Sequence, residues 1–168
     1  MDAMDWKIAG LLAEDGRRSN REIARRLKVS EGMIRQRLGR MVASGRLRLT
    51  AQVNLEQLPE QYLAIIGVRI DGRMLEARAE ELRQLPNVLS ALIVTGRFDI
   101  VLTVVLNRRH DLVRFITRSL SNVAGVLDSE TFIVLKSYDV WVPPAAIDSA
   151  GRGGRDVKAG ADAGGEET

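Results

Sequence analysis

The chain has 168 residues, 45% of them hydrophobic, which is enough for one large domain or two small ones. It has no cysteine and a single histidine, His110, so disulfides, thiol catalysis and histidine or cysteine metal clusters are excluded, and we predict no catalytic residue, metal or cofactor. No apolar run approaches the ~18 residues of a membrane span, and the acidic N-terminus is unlike a secretory signal. A cytoplasmic protein without a membrane partner is expected.

The positive charge is concentrated in the first third of the chain. Residues 1–50 carry 12 Lys/Arg against 6 Asp/Glu, a net charge of +6, whereas the whole chain carries +3. This asymmetry indicates a small module that binds a polyanion, joined to a second module with another task. The alternative is a charged, solvated surface without a binding role.

Three short helices are predicted in the first 45 residues. The first has apolar residues at helical spacing, with Asp2 and Asp5 as candidate N-caps. Ser19 and Glu22 have the spacing of a capping box at the start of the second helix. Ser30 is the expected N-cap of the third helix, whose apolar stripe is Ile34, Leu38, Met41 and Val42.

Residues 19–45 combine a capped helix, a short turn and a helix with a polar stripe, the pattern of a helix-turn-helix. The major groove of DNA is about 12 Å wide and admits one α-helix, so early residues of the third helix are expected to reach base edges. We expect Arg37 to reach guanine or a phosphate, and Arg40 a phosphate. An ordinary three-helix bundle with arginines outside is the alternative. The candidate DNA-binding residues are Arg21, Arg25, Lys28, Ser30, Glu31, Gly32, Met33, Gln36, Arg37 and Arg40.

The hydrophobic period changes after Gly45. Residues 46–53 alternate as a strand or wing would, and Leu55 to Gln61 has the composition of a linker. Strand-like runs then cover 62–70, 89–95, 100–106 and 131–138, and helical runs cover 75–85 and 111–121, with His110 in the first turn of the latter. This β-α-β-β-α-β order is typical of the ferredoxin-like arrangement.

The predicted strands are apolar on both faces, so the sheet needs a second cover besides its two helices. A dimer packed sheet to sheet would supply that cover. Beyond Pro143-Pro144 the chain is mostly small and charged, which predicts a disordered tail over 143–168. The expected organisation is a DNA-binding domain over 1–50, a strand and linker over 51–61, and a sensor and oligomerisation domain over 62–142.

From Asp2 to about Asp139 the chain resembles the Lrp/AsnC feast/famine regulators of bacteria and archaea. The resemblance depends on several short motifs that occur in the family's order. They are Asp2, Asp5 and Ile8; Asp15-Gly16-Arg17, Ser19-Asn20 and Glu22-Ile23-Ala24; Ser30, Ile34, Arg37, Leu38, Met41 and Gly45; Thr95-Gly96-Arg97-Phe98-Asp99; and Asn122-Val123-Ala124-Gly125-Val126 with Thr131.

The resemblance implies an α+β chain, with an N-terminal winged helix-turn-helix and a C-terminal sensor domain of ferredoxin-like βαββαβ type. It implies a cytoplasmic, nucleoid-associated regulator that is not an enzyme. Its implied partners are double-stranded DNA, further copies of itself as dimers or octamers, and a small effector, commonly an amino acid or related organic acid. By position, the effector site would comprise Gly96, Arg97, Phe98 and Asp99, with Thr131, Phe132 and Ile133 across from them.

One hairpin position departs from the family, which usually has an acid where this chain has Arg97. An arginine there would favour an effector with an additional carboxylate, while Asp99 would bind an ammonium group. Two other functions stay open. One is an architectural DNA-binding protein without an effector; the other is an enzyme similar to siroheme decarboxylases, which rely on histidine and basic residues.

Overall fold

The computed structural model describes residues 1–58, 60–72, 74–107 and 109–147, with backbone alone for 109 and 110. The chain divides into two compact units, Met1–Thr50 and the part from Ala51 onward. No helix of the described residues has the length and hydropathy needed to cross a lipid bilayer.

The first unit consists of three helices: α1 (Ala3–Glu14), α2 (Asn20–Leu27) and α3 (Glu31–Ala43). All three predicted N-caps are present. Asp2 forms a capping box with Asp5, Ser19 forms one with Glu22, and Ser30 accepts a hydrogen bond from the Met33 amide. Lys28, in the left-handed conformation, ends α2, and Gly45, also left-handed, follows α3.

The helices of the first unit enclose a small core of Ile8, Leu12, Ile23, Ala24, Ile34 and Met41. Two parts of the sequence prediction are wrong here. Val42 was assigned to the apolar stripe but is exposed, since it lies beside Met41 on the turn facing away from the core. The predicted wing is not formed as a strand: within residues 44–58, all of which are described, only Val53–Asn54 form a strand, which pairs with Trp141–Val142.

The second unit contains a four-stranded antiparallel sheet made of β2 (Tyr62–Ile70), β3 (Val88–Ile93), β4 (Ile100–Leu106) and β5 (Val126–Ile133). Their spatial order in the sheet is β3-β4-β2-β5. The two central strands, β2 and β4, have the predicted bounds. The order and the intervening helices confirm the ferredoxin-like arrangement within an α+β chain.

Two helices cover one face of this sheet. Helix α4 (Leu75–Arg83) presents Ala79 and Leu82, and helix α5 (Arg109–Arg114) continues through a π-turn, Phe115–Ser119, and a 3-10 turn, Leu120–Asn122. His110 is the second residue of α5, as predicted. The buried side chains of β2 and β4 meet these helices in the main core, which includes Ile66, Val68, Leu102, Val104, Phe115 and Leu120.

The other face of the sheet is covered only in part. Strands β1 (Val53–Asn54) and β6 (Trp141–Val142) pair with each other, and the 3-10 turn Leu55–Gln57 follows β1. Leu55 and Val142 bury Val105 of the sheet in a separate cluster. Elsewhere this face leaves Ile65, Leu92 and Phe132 exposed by 37%, 52% and 48%. We call the surface formed by these three residues the open face.

Two sequence-based boundaries differ from the structure. The last long strand is Val126–Ile133 rather than 131–138, because hydrogen bonding to β2 selects a segment whose polar residues, such as Asp128, are tolerated at the sheet edge. Residues 144–147, predicted to belong to the tail, form one helical turn, and Ile147 packs against the cluster of Leu55 and Val142. The rest of the predicted tail lies outside the described residues.

Candidate DNA-binding and effector-binding sites

Helix α3 presents an exposed, mostly uncharged surface near its N-terminus. Gly32, Met33 and Gln36 are all exposed there. Their neighbour Glu31 forms an ion pair with Arg35 at 2.6 Å, and the Ser30 hydroxyl is used as the helix cap. Gln36 has a side-chain amide on this surface that can both donate and accept hydrogen bonds, as bidentate contact with a base edge requires.

Exposed cations surround this surface. Arg21 and Arg25 lie on α2, Lys28 follows it, and Arg40 lies on α3. None of the four has a carboxylate within ion-pair distance among the described residues. Cations without an intramolecular partner remain available for phosphate oxygens.

Arg37 has a different environment from the other candidates. Its guanidinium group donates to Asp2 Oδ2 at 2.6 Å and to Asp5 Oδ1 at 2.8 Å, and its side chain is only 22% exposed. It thus joins α3 to the capping box of α1. Both hydrogen bonds use the Nη1 atom, and the two carboxylates neutralise much of the charge that a phosphate would meet. The contact of Arg37 with guanine or phosphate stays a prediction.

The ion pairs at Arg37 change the ionisation of all three groups. The hydrogen bond from Arg37 is the main reason that the pKa of Asp2 falls from 3.8 to about 2. The same donor lowers the pKa of Asp5, and the two carboxylates in turn raise the pKa of Arg37. Each shift favours the charged form, so this cluster is fully ionised at neutral pH.

A cavity of about 230 Å³ lies at the C-terminal end of α3. Asp5, Arg37, Arg40 and Arg46 line it, and of the three arginines only Arg37 has an ion-pair partner among the described residues. The two unpaired arginines suit a phosphate group, which the Asp5 carboxylate opposes in part. Sequence reasoning missed Arg46 because it lies in the segment interpreted as a strand, although its position just after the helix was a usable signal.

The hairpin between β3 and β4 contains the first four candidate effector residues. Gly96 has φ +115°, a conformation that side chains disfavour. The ring of Phe98 lies over Gly67 of β2, where a Cβ would approach its carbons to 2.4–2.5 Å. Gly67 alternates with the buried Ile66 and Val68, so the ring lies on the face of the sheet opposite the helices. Phe98 is therefore a packing residue of that face.

The charges of the hairpin are already matched within the chain. Arg97 is 73% exposed, forms an ion pair with Glu130 of β5 and lies 5.1 Å from the centroid of the Phe98 ring. Asp99 Oδ2 accepts a hydrogen bond from the Ile70 amide at 2.8 Å. The expected preference for an effector with an additional carboxylate stays a prediction, and such an effector would have to compete with Glu130 for Arg97.

The last three candidate residues do not lie on one side of the sheet. Phe132 is paired with Ile65 and shares the open face with it. Thr131 and Ile133 are paired with Ile66 and Ala64, whose side chains point to the helices. Within one subunit, Phe132 therefore lies on the same face of the sheet as the Phe98 ring of the hairpin, whereas Thr131 and Ile133 lie on the opposite face. Glu130, which the sequence analysis did not identify, contacts the hairpin through Arg97.

Comparison with known families gives a match on both units. The model described as the Lrp/AsnC ligand binding domain matches residues 63–140, and that of the AsnC-type helix-turn-helix domain matches residues 1–42. The chain belongs to the Lrp/AsnC family. Its relatives include an uncharacterized HTH-type transcriptional regulator of Pyrococcus horikoshii, 35% identical over 142 residues that cover 84% of this chain and 89% of the relative.

Solved structures of similar proteins have the same fold. The leucine response regulatory protein of Mycobacterium tuberculosis superposes with a TM-score of 0.74 at 22% identity, covering 83% of this chain and 96% of that one. A transcriptional regulator of Neisseria meningitidis, solved as a complex with L-Met, gives a TM-score of 0.67 at 27% identity over 85% and 95% of the two chains.

In the described part of this chain, no three His, Asp or Glu side chains gather as metal ligands.

Proposed function

We propose that this member of the Lrp/AsnC family is a sequence-specific transcriptional regulator that binds double-stranded DNA in the nucleoid and responds to a small effector. The observation that carries the proposal is the division of roles on α3. Arg37 is held by Asp2 and Asp5, whereas Gln36 and Arg40 stay exposed beside the cations of α2. This gives a reading surface supported by phosphate contacts.

Two substitutions test these roles. Gln36→Ala should weaken binding to the specific site by about 1–3 kcal/mol, if Gln36 makes a bidentate base contact, and leave non-specific binding almost unchanged. Arg25→Ala should weaken binding to all sequences similarly and reduce the slope of log K against log salt by about one. Arg35→Ala is the matched control, because Arg35 is exposed but already paired with Glu31.

The three variants are titrated against a selected operator and a scrambled duplex at several salt concentrations. These titrations measure the ratio of specific to non-specific binding and the salt dependence of the binding constant. The operator is obtained by selecting bound sequences from a random DNA pool. If Gln36→Ala leaves the ratio of specific to non-specific binding unchanged, Gln36 does not read bases. If no sequence is enriched in the selection, the alternative of an architectural DNA-binding protein gains support.

The second unit is proposed to sense the effector and to associate with further copies. The open face exposes Ile65, Leu92 and Phe132, and a second copy packed against it would remove these residues from water. The L-Met bound to the Neisseria meningitidis relative makes an amino acid the effector class to test first at the hairpin. Arg97 and Glu130 are assigned to that site as a charge pair that can separate to bind the carboxylate and ammonium of such a ligand.

The charge-pair assignment predicts a reciprocal result. Arg97→Ala and Glu130→Ala should each weaken amino-acid binding, whereas the double reversal Arg97→Glu with Glu130→Arg should restore part of it, because both charges are again present. Isothermal titration with L-methionine measures the binding. Full affinity in both single variants would remove the pair from the effector site.

A further inference from the structure

We propose that the first unit carries a binding site for a small phosphorylated polyol, a molecule with one phosphate monoester and free hydroxyl groups. The site is the cavity of about 230 Å³ at the C-terminal end of α3, and it lies wholly within the first unit. It is formed by the start of α1, the last turns of α3 and the residue after Gly45. Its lining residues are Asp5, Arg37, Arg40, Met41, Ser44 and Arg46.

The turn that follows α3 fixes the position of Arg46. Gly45 adopts the left-handed conformation, with φ +69°, and so reverses the direction of the chain. The backbone amides of Arg46 and Leu47 both donate to the Met41 carbonyl, at 3.0 and 3.1 Å. These bonds hold Arg46 beside the end of α3. They also satisfy a terminal carbonyl, whose partial negative charge would otherwise oppose an anion.

The charges of the cavity match a phosphate monoester. Three guanidinium groups face one carboxylate, which leaves two positive charges. Arg40 and Arg46 have no ion-pair partner among the described residues, and Arg37 donates to Asp2 and Asp5 from Nη1 alone, so its other N–H donors are left for a ligand. A phosphate monoester carries about −1.5 to −2 at pH 7, whereas each phosphodiester of DNA carries about −1.

The cavity also has hydrogen-bond acceptors, for which the DNA backbone has no donor. The Ser44 hydroxyl donates to the Met41 carbonyl at 3.2 Å, so its oxygen is left to accept. Asp5 Oδ1 accepts from Arg37 and Oδ2 from the Asp2 amide, and each oxygen can accept a second bond. Deoxyribose within a DNA strand lacks a free hydroxyl group. A ligand with hydroxyl groups beside its phosphate meets both the arginines and these acceptors.

The dimensions of the cavity suit a small ligand. A water molecule occupies about 30 Å³ in the liquid, so the space is that of roughly eight waters. It is smaller than the ~300–1,000 Å³ of pockets for drug-sized ligands. Part of the lining is held in place, because Met41 is buried and the side chains of Asp5 and Arg37 are only 15% and 22% exposed. Groups that are ordered before binding reduce its entropic cost.

Occupation of the cavity should compete with DNA. This consequence rests on the proposed function, in which Arg40 contacts a phosphate of the DNA backbone. One guanidinium group would then have to serve two phosphates, so the ligand should weaken DNA binding, and DNA should weaken ligand binding by the same factor. The ligand would act on the DNA-binding unit directly.

Isothermal titration of the full-length chain without DNA tests the site, with glycerol 3-phosphate and ribose 5-phosphate as probes. Arg40→Gln and Arg46→Gln should each weaken the better probe at least tenfold, because each removes a charge-assisted bond. Arg48→Gln is the matched control, since Arg48 is exposed two residues further along and does not line the cavity. The melting temperature should stay the same in all three variants. The probe should slow hydrogen exchange in peptides covering 1–6 and 40–47.

Two analogues separate recognition of the polyol from general attraction of anions. Ethyl phosphate is a monoester without a hydroxyl group and should bind about fivefold more weakly than glycerol 3-phosphate. Dimethyl phosphate, a diester like the DNA backbone, should bind at least tenfold more weakly. Ser44→Ala should weaken glycerol 3-phosphate about fivefold and leave ethyl phosphate unchanged, because only the polyol uses the Ser44 oxygen.

The outcomes distinguish a free ligand from the DNA backbone. If neither probe binds at millimolar concentration while Arg46→Gln weakens DNA binding, the cavity belongs to the DNA backbone and the proposal is overturned. Equal affinity for glycerol 3-phosphate and dimethyl phosphate, or unchanged affinity in Arg40→Gln and Arg46→Gln, would also overturn it. Probe binding that leaves DNA binding unchanged would overturn the competition. None of these results affects the proposed regulator, which the DNA titrations of Gln36→Ala and Arg25→Ala test separately.

Discussion

Replacing Gly67 by alanine should destabilise the second unit, because the new methyl group would enter space that the Phe98 ring occupies. The Cβ of residue 67 would lie 2.4–2.5 Å from three carbons of that ring. Ordinary carbon–carbon contacts are about 3.5–4.0 Å, so the overlap is about 1 Å. One of the three carbons is Cγ, close to the backbone, so a small shift of the ring tip does not relieve the clash.

The expected magnitude combines two opposing effects. Overpacking of this kind costs about 1–3 kcal/mol. Alanine is favoured over glycine in a strand interior by about 0.5–1 kcal/mol, because glycine loses more backbone freedom on folding. Because the approach of 2.4–2.5 Å includes Cγ, we expect a cost in the upper part of the overpacking range, about 2–3 kcal/mol. The net loss in the free energy of unfolding is then about 1–2 kcal/mol. In a Phe98→Ala background only the second effect remains, so Gly67→Ala should there be stabilising by about 0.5–1 kcal/mol.

Urea denaturation of the four proteins of this double-mutant cycle measures the coupling. Trp141 reports on the second unit, and Trp6, which is exposed on α1, is replaced by phenylalanine so that its fluorescence does not interfere. All proteins are compared at one concentration, because self-association would shift the midpoint. A neutral or stabilising effect of Gly67→Ala in the presence of Phe98, or an equal cost in both backgrounds, would refute the packing of the ring over Gly67.

Three other predictions follow from the same structure. Arg37→Gln should lower the melting temperature of the first unit, measured by circular dichroism. It should weaken binding to the operator and to scrambled DNA by similar factors, because the whole unit is destabilised. A selective loss of operator binding would contradict a structural role for Arg37. In the unmodified chain the stabilisation from these ion pairs should be complete above the ordinary pKa of 3.8 and be lost as the pH falls through about 2, because the pKa of Asp2 is lowered in the folded state. An acid titration in which Arg37→Gln shows the same transition would oppose this. Ile65→Lys adds a charge to the open face and should reduce the mass found by analytical ultracentrifugation, whereas Arg69→Lys on the same strand should not.

Local hydrogen bonding explains why the helices of the first unit were predictable. Each N-cap side chain accepts a hydrogen bond from a backbone amide two or three residues further along the chain, as Asp2, Ser19 and Ser30 do. The short sequence pattern that predicts the cap therefore includes both the acceptor and the donor of that bond. Strands β2 and β4 were predictable for a related reason. They are central in the sheet, and their continuous apolar runs have well-defined ends.

Edge positions were harder to predict, because pairing with a distant strand decides them. The residues of β5 include Asp128 and Glu130, which lower the apolar signal, yet the register with β2 places the strand there. Likewise, only Val53 of the alternating run after α3 lies in a strand, because alternation of apolar residues does not by itself specify a partner strand.

By itself, the sequence determined the order of the elements, the positions of the helix caps, the basic first unit and the family to which the chain belongs. Only the tertiary structure decided which charged side chains are available. Arg37 finds its carboxylates 32 and 35 residues away, and Arg97 finds Glu130 across the sheet. In the linear sequence, both arginines have the charge and the position expected of ligand-binding residues. Their partners come from other elements, and ion pairs between distant segments exist only once the backbone has brought those segments together.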